Sequence, residues 1–274
     1  MVWACVPRVD GDPVFSALLD NKHWDSKEAR GFWAIELENC IAVEQHYIRN
    51  TPILVTRQSD GQGNAIEIFD FCPRHKHKGR MYRPVAFARI VRPAAGSPRI
   101  RVRLRPTTSW GKENVPVTYG SNHIRMVLSY MAMRISTNAP IGLIAQESWF
   151  RLESDMHFFM GPDEGFSDAL RPAIERMLDD TILEWQLWVR GLAIPPEWQE
   201  AVIRSAITLK LCQHEETGAI VAALTTSIPE HADSGRNWDY RYCWVRDAYY
   251  TVEALNRLGA LDVLETYLVY LRNI

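Results

Sequence analysis

The stretch at residues 172–191, PAIERMLDDTILEWQLWVRG, marks a change in the pattern of the chain. Its apolar side chains recur at helical spacing, at Ile174, Met177, Leu178, Ile182, Trp185 and Trp188. Gly191 follows as a residue type that commonly ends helices. The stretch therefore predicts one long helix, and the patterns on its two sides differ in secondary-structure class.

The sequence before this helix predicts β-strands. Residues 47–56 (YIRNTPILVT) and 66–71 (IEIFDF) are rich in strand-forming residues, and residues 59–64 (SDGQGN) between them are typical of a turn. We expect a hairpin here. Residues 99–105 (RIRVRLR) alternate strictly, which predicts a half-buried strand with three apolar residues on one face and four arginines on the other.

The segments that follow have a similar composition. Residues 123–133 and 148–159 are apolar and aromatic, although residues 126–133 are also compatible with a helix. Several short strands at hairpin spacing predict an antiparallel β-sandwich. Residues 161–165 (GPDEG) break the pattern, and we place the end of the sandwich there.

After the long helix, the sequence predicts more helices. Pro195 and Pro196 are well placed for the start of one, with Trp198 among its inward-facing apolar residues. Two more are expected at residues 244–259 and 262–273. The predicted fold class is therefore multidomain, β and then α.

Composition narrows the function classes. The chain has 274 residues, of which 47% are apolar and 23% charged, so it predicts a globular protein with a sizeable core. A net charge of −2 argues against nucleic acid or an anionic membrane as partner. Five scattered cysteines without a CxxC pair argue against a disulfide framework and a zinc ribbon. With no signal peptide and no apolar run of about 20 residues, we expect a cytoplasmic protein.

The densest group of chemically active residues lies at 236–247 (RNWDYRYCWVRD), ahead of a predicted helix. Aromatic faces pack on the C–H surfaces of sugars, while arginine donors and carboxylate acceptors bind sugar hydroxyls. This mixture predicts a polyol pocket. In the alternative interpretation, Arg246 and Asp247 pair with each other and cap the helix, and the aromatics belong to the core.

The motifs resemble those of glycoside hydrolase family 15, the glucoamylase and glucoamylase-like trehalase family. The similar segments of the helical part are 202–210 (VIRSAITLK), 216–230 (ETGAIVAALTTSIPE) and 236–248 (RNWDYRYCWVRDA). Those of the first part are 3–10 (WACVPRVD), 13–15 (PVF), 47–56 and 70–74 (DFCPR). Their number and order make the resemblance specific.

This resemblance implies a fold and an activity. The family has an antiparallel super-β-sandwich, a linker helix and an (α/α)6 barrel. We therefore expect the sandwich at residues 1–165, the linker helix at 166–194 and the first helices of an incomplete barrel at 195–274. Family members release glucose from the non-reducing ends of α-glucans by inversion, and some split trehalose. The implied partner is an α-glucoside or oligosaccharide substrate, with no cofactor or metal and an oligomeric state that the sequence does not give.

The resemblance also assigns residue roles. Arg246 and Asp247 match the pair that grips the hydroxyls of the terminal glucose, and Tyr240 and Trp244 match aromatics of the same subsite. These residues bind and do not cleave. The two catalytic glutamates of the family lie on later barrel loops, so no catalytic residue is expected in this chain.

Length supports a shortened barrel. Twelve helices of about 11 residues with connections of about 5 need on the order of 200 residues. Residues 195–274 hold about three helices, so we expect a piece of a longer enzyme, inactive alone. The alternatives are a non-catalytic carbohydrate-binding or domain-packing module and an inverting phosphorylase of related architecture.

Weaker signals favour structural roles. Cys72, His75 and His77 are metal-binding residue types, but the interleaved lysines favour a solvated basic turn. The tryptophans of the long helix are expected to pack, and the arginine face of residues 99–105 to be solvated or paired with acids. Five carboxylates near the motif are interpreted as surface charges and caps: Glu215, Glu216, Glu230, Asp233 and Asp239.

Overall fold

The computed structural model describes residues 1–19, 26–166, 168–224, 231 and 234–274. The chain divides into two compact units. The first, which we call the sandwich unit, contains Met1–Ile48 and Ile53–Glu184. The second, the helical unit, contains Arg49–Pro52 and Trp185–Ile274.

The sandwich unit is built mainly of short strands. The first nine strands are β1 (Ala4–Cys5), β2 (Pro13–Phe15), β3 (Phe32–Leu37), β4 (Cys40–Tyr47), β5 (Leu54–Asp60), β6 (Ala65–Phe71), β7 (His75–His77), β8 (Arg80–Tyr82) and β9 (Phe87–Ala95). The next are β10 (Arg99–Arg105), β11 (Thr107–Thr108), β12 (Glu113–Asn114), β13 (Val117–Tyr119), β14 (His123–Val127), β15 (Ala132–Thr137), β16 (Phe150–Arg151) and β17 (Met156–Pro162). A short helix, α1, spans Ile141–Ala145.

Two antiparallel sheets carry the core of this unit. One has eight strands in the order β13-β14-β15-β17-β9-β6-β5-β4, and the other has three in the order β16-β10-β3. Buried side chains from both sheets join one apolar cluster, among them Trp33 and Ile100 of the small sheet and Ile66, Val91 and Phe158 of the large one. Two sheets sharing one core form the expected β-sandwich.

The predicted hairpin is confirmed, with one correction. Strands β5 and β6 pair antiparallel, and the Asp60 carboxylate accepts hydrogen bonds from the backbone N–H groups of Gln62 and Asn64, both at 2.8 Å, in the turn. Residues 47–56 are not one strand, however. Strand β4 ends at Tyr47 and β5 begins at Leu54, with Asn50 at a φ of +60° between them.

The arginine-rich strand is also confirmed. In β10, Ile100 and Val102 are buried, while the arginines pair with the carboxylates of Glu36, Glu38 and Glu147. These pairs make the basic face structural. The helical alternative for residues 126–133 is wrong, because that segment contains the end of β14 and the start of β15.

The long helix α2 spans Leu170–Arg190, as its stripe predicts. Within the sandwich unit, its Ile174 and Leu178 are buried in a cluster with residues of the large sheet. Glu175 accepts a hydrogen bond from Arg92 at 2.7 Å and lies 2.7 Å from Nε2 of His157. Apolar and polar contacts therefore hold this helix to the sheet.

The helical unit contains α3 (Gln199–Leu211), α4 (Val245–Arg257) and α5 (Leu261–Asn273). Trp185 of the end of α2 packs with Ile207 of α3. Leu255 and Val263 are fully buried on either side of the turn at Gly259. None of the helices among the described residues has both the length and the apolar character needed to cross a bilayer.

The start of α3 differs from the prediction. The helix begins at Gln199, after Trp198, whose φ of +59° lies outside the helical region. Trp198 is 81% exposed, so the expectation that it packs inward is wrong. The two prolines therefore precede the helix and do not form its first turn.

Candidate functional site

Residues 236–244 form an irregular segment that leads into α4. Its backbone is held at two points, where the N–H of Ala222 donates to the carbonyl of Tyr242 at 3.1 Å and the N–H of Ala223 donates to that of Tyr240 at 2.8 Å. These bonds fix the backbone of the motif close to the start of α4. The side chains of these consecutive residues are therefore held in position next to α4.

An internal ion pair braces the segment. The Asp239 carboxylate accepts hydrogen bonds from Nε of Arg241 at 3.0 Å, from its Nη2 at 2.9 Å and from its backbone N–H at 3.0 Å. Hydrogen bonding from Arg241 lowers the pKa of Asp239 below its usual range. The indole N–H of Trp244 donates to the Asp239 carbonyl at 3.2 Å. The Asp239 carboxylate therefore belongs to a partly buried ion pair and is not the surface charge or cap that was expected.

The four predicted binding residues line one cavity of about 280 Å³, which we call the motif cavity. Tyr240 and Trp244 are half-buried, and Arg246 and Asp247 come from the first turn of α4. Trp238 is a fifth lining residue that the sequence analysis did not select. Its ring meets that of Trp244 edge to face, with centroids 6.2 Å apart and planes at 83°.

Asp247 has an oxygen available for a ligand. Its Oδ2 is buried and makes no hydrogen bond with any part of the chain that the structure describes, although Nη2 of Arg246 lies 3.5 Å away. The Arg246 side chain is largely exposed. Pairing of the two residues is thus loose and leaves hydrogen-bonding capacity on both. A buried carboxylate oxygen without a partner costs free energy that a ligand hydroxyl can recover.

The motif cavity can recognise a hydroxyl-rich ring. Aromatic faces suit the C–H surface of a sugar, the guanidinium supplies several donors, and the carboxylate supplies acceptors. The position of Asp247 in the first helical turn also favours its negative charge. Trp238 belongs to the motif at residues 236–247. Its spacing from Trp244 gives no periodic signal that would predict it as a binding residue.

Of the other carboxylates near the motif, the structure describes Glu215 and Glu216. Glu215 lies 3.5 Å from Nζ of the buried Lys210, which is an ion pair within the helical unit. Glu230 and Asp233 lie outside the described residues, as does the rest of the 225–230 segment.

The group at Cys72, His75 and His77 is partly as predicted. Lys78 and Gly79 both have positive φ and connect β7 to β8 in a tight turn. The expectation of a solvated turn is wrong for His75, which is 6% exposed. Across the described ranges, no group of three or more His, Cys, Asp or Glu side chains is arranged to hold a metal ion.

Comparison with known proteins finds sequence similarity that includes this segment. Residues 197–272, which contain the whole motif cavity, match the sequence model of glycosyl hydrolases family 15. A trehalase of Thermoplasma volcanium is 28% identical over 94% of this chain and 41% of its own length. Trehalases of Thermoplasma acidophilum and Mycobacterium tuberculosis are 28% and 26% identical over 94% of this chain and 44% and 41% of their lengths. No solved structure gives a significant match.

A β-sandwich unit, helices that carry this motif and these similarities relate the chain to the glycoside hydrolases. More closely, residues 197–272 match glycosyl hydrolases family 15, and the similar proteins are trehalases, which confirms the resemblance found in the motifs. It spans less than half the length of the curated relatives it matches.

Proposed function

We propose that this chain provides the sandwich and the terminal-glucose-binding segment of an inverting α-glucoside hydrolase that splits trehalose. The observation that carries the proposal is the motif cavity, which brings Tyr240, Trp244, Arg246 and Asp247 together inside the segment that matches the family. Trehalose is chosen as substrate because the relatives described above are trehalases.

Each side chain of the cavity has a role in this proposal. Asp247 accepts hydrogen bonds from sugar hydroxyls through its unpartnered Oδ2, and Arg246 donates to neighbouring hydroxyls. Tyr240 and Trp244 pack against the apolar face of the ring. Trp238, perpendicular to Trp244, extends the aromatic wall.

The proposed division of the chain follows from the same family. Residues 1–165 form the sandwich domain, residues 166–194 the linker helix, and residues 195–274 the first helices of an (α/α)6 barrel. The family match at 197–272 supports the start of the third region. Helices α3, α4 and α5 are then barrel helices.

Cleavage requires residues beyond those of the motif cavity. An inverting glycosidase uses a general acid and a general base whose carboxyl groups are about 6.5–9.5 Å apart, with a water between them. The family resemblance places both on later barrel loops. In this proposal, residues 1–274 orient the terminal glucosyl ring and do not break its bond.

Binding is tested with the purified 274-residue chain and trehalose by isothermal titration calorimetry. We expect Asp247→Asn to weaken binding at least about tenfold, because one charge-assisted hydrogen bond is worth roughly 1.5–3 kcal/mol. Glu253→Gln is the matched control, since Glu253 lies on the same helix, is equally exposed at 35% and also neighbours an arginine. Equal affinities for both variants, or no binding by the parent chain, would contradict the proposal.

Hydrolysis is tested by measuring glucose release from trehalose and maltose with the same chain. We expect none, since the acid and base are not among the assigned residues. Glucose release that Asp247→Ala abolishes would show that the chain carries its own catalytic pair.

A further inference from the structure

The sandwich unit contains a second cavity, of about 500 Å³, which the proposed function does not use. We call it the hairpin cavity. It lies among the β7–β8 hairpin, the end of β17 with the residues after it, and one side of α2, and its lining includes His75, Tyr82, Phe159, Phe166, Met177 and Asp180. Its volume is in the range of small-molecule sites.

The hairpin sequence places two aromatic groups together. Lys78 and Gly79 have φ values of +49° and +78°, as in the type I′ turns that join two-residue hairpins. This turn sets a register in which His75 lies opposite Tyr82. Their ring centroids are 5.1 Å apart with the planes at 83°. His77, two residues along the strand, lies on the same face as His75.

The His75 ring is buried, and its nitrogens make no hydrogen bond to the residues that the structure describes. Neither ring nitrogen makes a hydrogen bond within the described ranges, and Nδ1 is 4.0 Å from Oδ2 of Asp180. Burial lowers the pKa of His75 below its usual value. The ring is therefore neutral near pH 7 and has one donor and one acceptor nitrogen. A hydroxyl group can satisfy either of them.

Apolar side chains also line the hairpin cavity. Phe159 and Phe166 meet edge to face, with centroids 4.9 Å apart and planes at 88°. Both rings are partly exposed, and Met177 of α2 also lines the cavity. Flat aromatic surfaces beside polar groups are suited to the C–H faces of a sugar ring.

The charged groups of the hairpin cavity indicate which class of ligand it can bind. Three carboxylates, Glu164, Asp168 and Asp180, line it together with Arg176, whose Nη2 lies 3.3 Å from Oδ2 of Asp168. The excess of carboxylates disfavours an anion. Their arrangement does not suit a metal ion either, because no three potential ligands of the described chain converge. A neutral ligand with many hydroxyls matches both the acceptors and the donors.

We propose that the hairpin cavity binds a neutral saccharide, separately from the motif cavity. The buried unpartnered imidazole, the perpendicular aromatic rings and the mixed polar groups together carry this inference. It does not depend on the proposed function, since none of its residues belongs to the segment that matches the family.

The test uses the 274-residue chain with Asp247→Asn, which weakens binding at the motif cavity. Trehalose and maltose are titrated into it by isothermal titration calorimetry. We expect saturable binding of at least one sugar, and a loss of affinity of at least about tenfold on adding Phe166→Ala, because a sugar-packing aromatic face is removed. Tyr119→Ala is the control, since Tyr119 is a half-exposed aromatic of the same unit that does not line the cavity.

Circular dichroism melts verify that each variant folds. If Phe166→Ala does not fold, Asp180→Asn replaces it, because Asp180 is 56% exposed, and a threefold or larger loss of affinity is expected. Absence of saturable binding in the Asp247→Asn chain, or binding that neither cavity substitution weakens, overturns this inference. The first of these outcomes leaves the proposed function standing whenever the parent chain binds trehalose.

Discussion

The sandwich unit and the helical unit differ in how their large side chains are surrounded. In the sandwich unit, Trp33 is 1% exposed and meets the rings of Phe15, Phe87 and Phe158 at centroid distances of 6.4, 6.1 and 5.7 Å. In the helical unit, several large apolar or aromatic side chains are 46–71% exposed: Val245, Tyr249, Tyr250, Leu268 and Val269.

Two groups of polar side chains, one in each unit, also differ. The arginines of β10 meet carboxylates in the sandwich unit, whereas Asp247 of the helical unit has an oxygen without a hydrogen-bond partner in the described chain. Satisfied groups stabilise a fold, and unsatisfied ones are available to a ligand. The ion pairs of β10 therefore stabilise the sandwich, while the start of α4 has a carboxylate oxygen that makes no hydrogen bond in the described chain.

The largest expected effect tests the sandwich core. Trp33→Ala removes a side chain that three rings surround, and loss of a buried aromatic costs about 3–5 kcal/mol. Trp198→Ala is the control, because Trp198 is 81% exposed and surface substitutions change stability by roughly 0.5 kcal/mol or less. Urea denaturation measures both. Similar losses would remove the contrast between a surrounded and an exposed tryptophan.

A smaller effect is expected within the helical unit at Gly218. A Cβ there would stand 2.2 Å from the Thr266 carbonyl oxygen, and its φ is +83°. Gly259 has the same φ with open space around it. We expect Gly259→Ala to cost about 1–2 kcal/mol from backbone strain alone, and Gly218→Ala to cost more because of the added contact. Thermal melts of the two variants distinguish backbone strain from steric crowding. Equal losses of stability in both variants would contradict the expected contact with Thr266.

The smallest expected effect concerns pH. Burial would raise the pKa of Glu175, but hydrogen bonding from His157 and the charge of Arg92 outweigh it, so its pKa in the folded protein is lowered. The resulting stability is present above the unfolded pKa of about 4.3 and is lost as the pH falls through the folded value. Glu175→Gln should therefore flatten the acid side of the stability profile. Its effect is limited, because solvent screens this partly exposed pair.

The loss of stability at acid pH should also differ between the two units. Carboxylates with a lowered pKa lie mainly in the sandwich unit, at Asp60, Glu147, Asp163 and Glu175, while Asp239 represents the helical unit. The profile is measured by urea denaturation between pH 3 and 7, with Glu253→Gln as the control in the helical unit. An unchanged acid slope in Glu175→Gln would show that its network does not stabilise the fold.

Local pattern predicted much of the fold. The stripe at residues 172–191 and the alternation at 99–105 correspond to α2 and β10, because periodicity reports which face of an element is buried. Prediction failed where a single backbone conformation decided the outcome. Trp198 is of a residue type that is common in cores. Its backbone has a φ of +59° directly before α3, and its ring is exposed.

The motif cavity was predictable because its residues are neighbours in sequence. Twelve consecutive positions contain all four predicted binding residues, so the segment needs only two backbone hydrogen bonds and a helix start to gather them. The pairing of Asp239 with Arg241 and the inclusion of Trp238 depend on side-chain directions, which residue spacing in an irregular segment does not specify.

The sequence alone determined that strands precede helices, the resemblance to a family and four residues of the motif cavity, since these follow from local periodicity and contiguous motifs. Tertiary structure decided that His75 is buried without a hydrogen bond to any described residue and that Tyr82, Phe159 and Asp180 line a cavity with it. His75 and Tyr82 belong to one hairpin, but Phe159 and Asp180 follow His75 by 84 and 105 positions in the chain. Only folding of the strands and α2 into one unit brings them together, because long-range packing is not encoded in any local pattern.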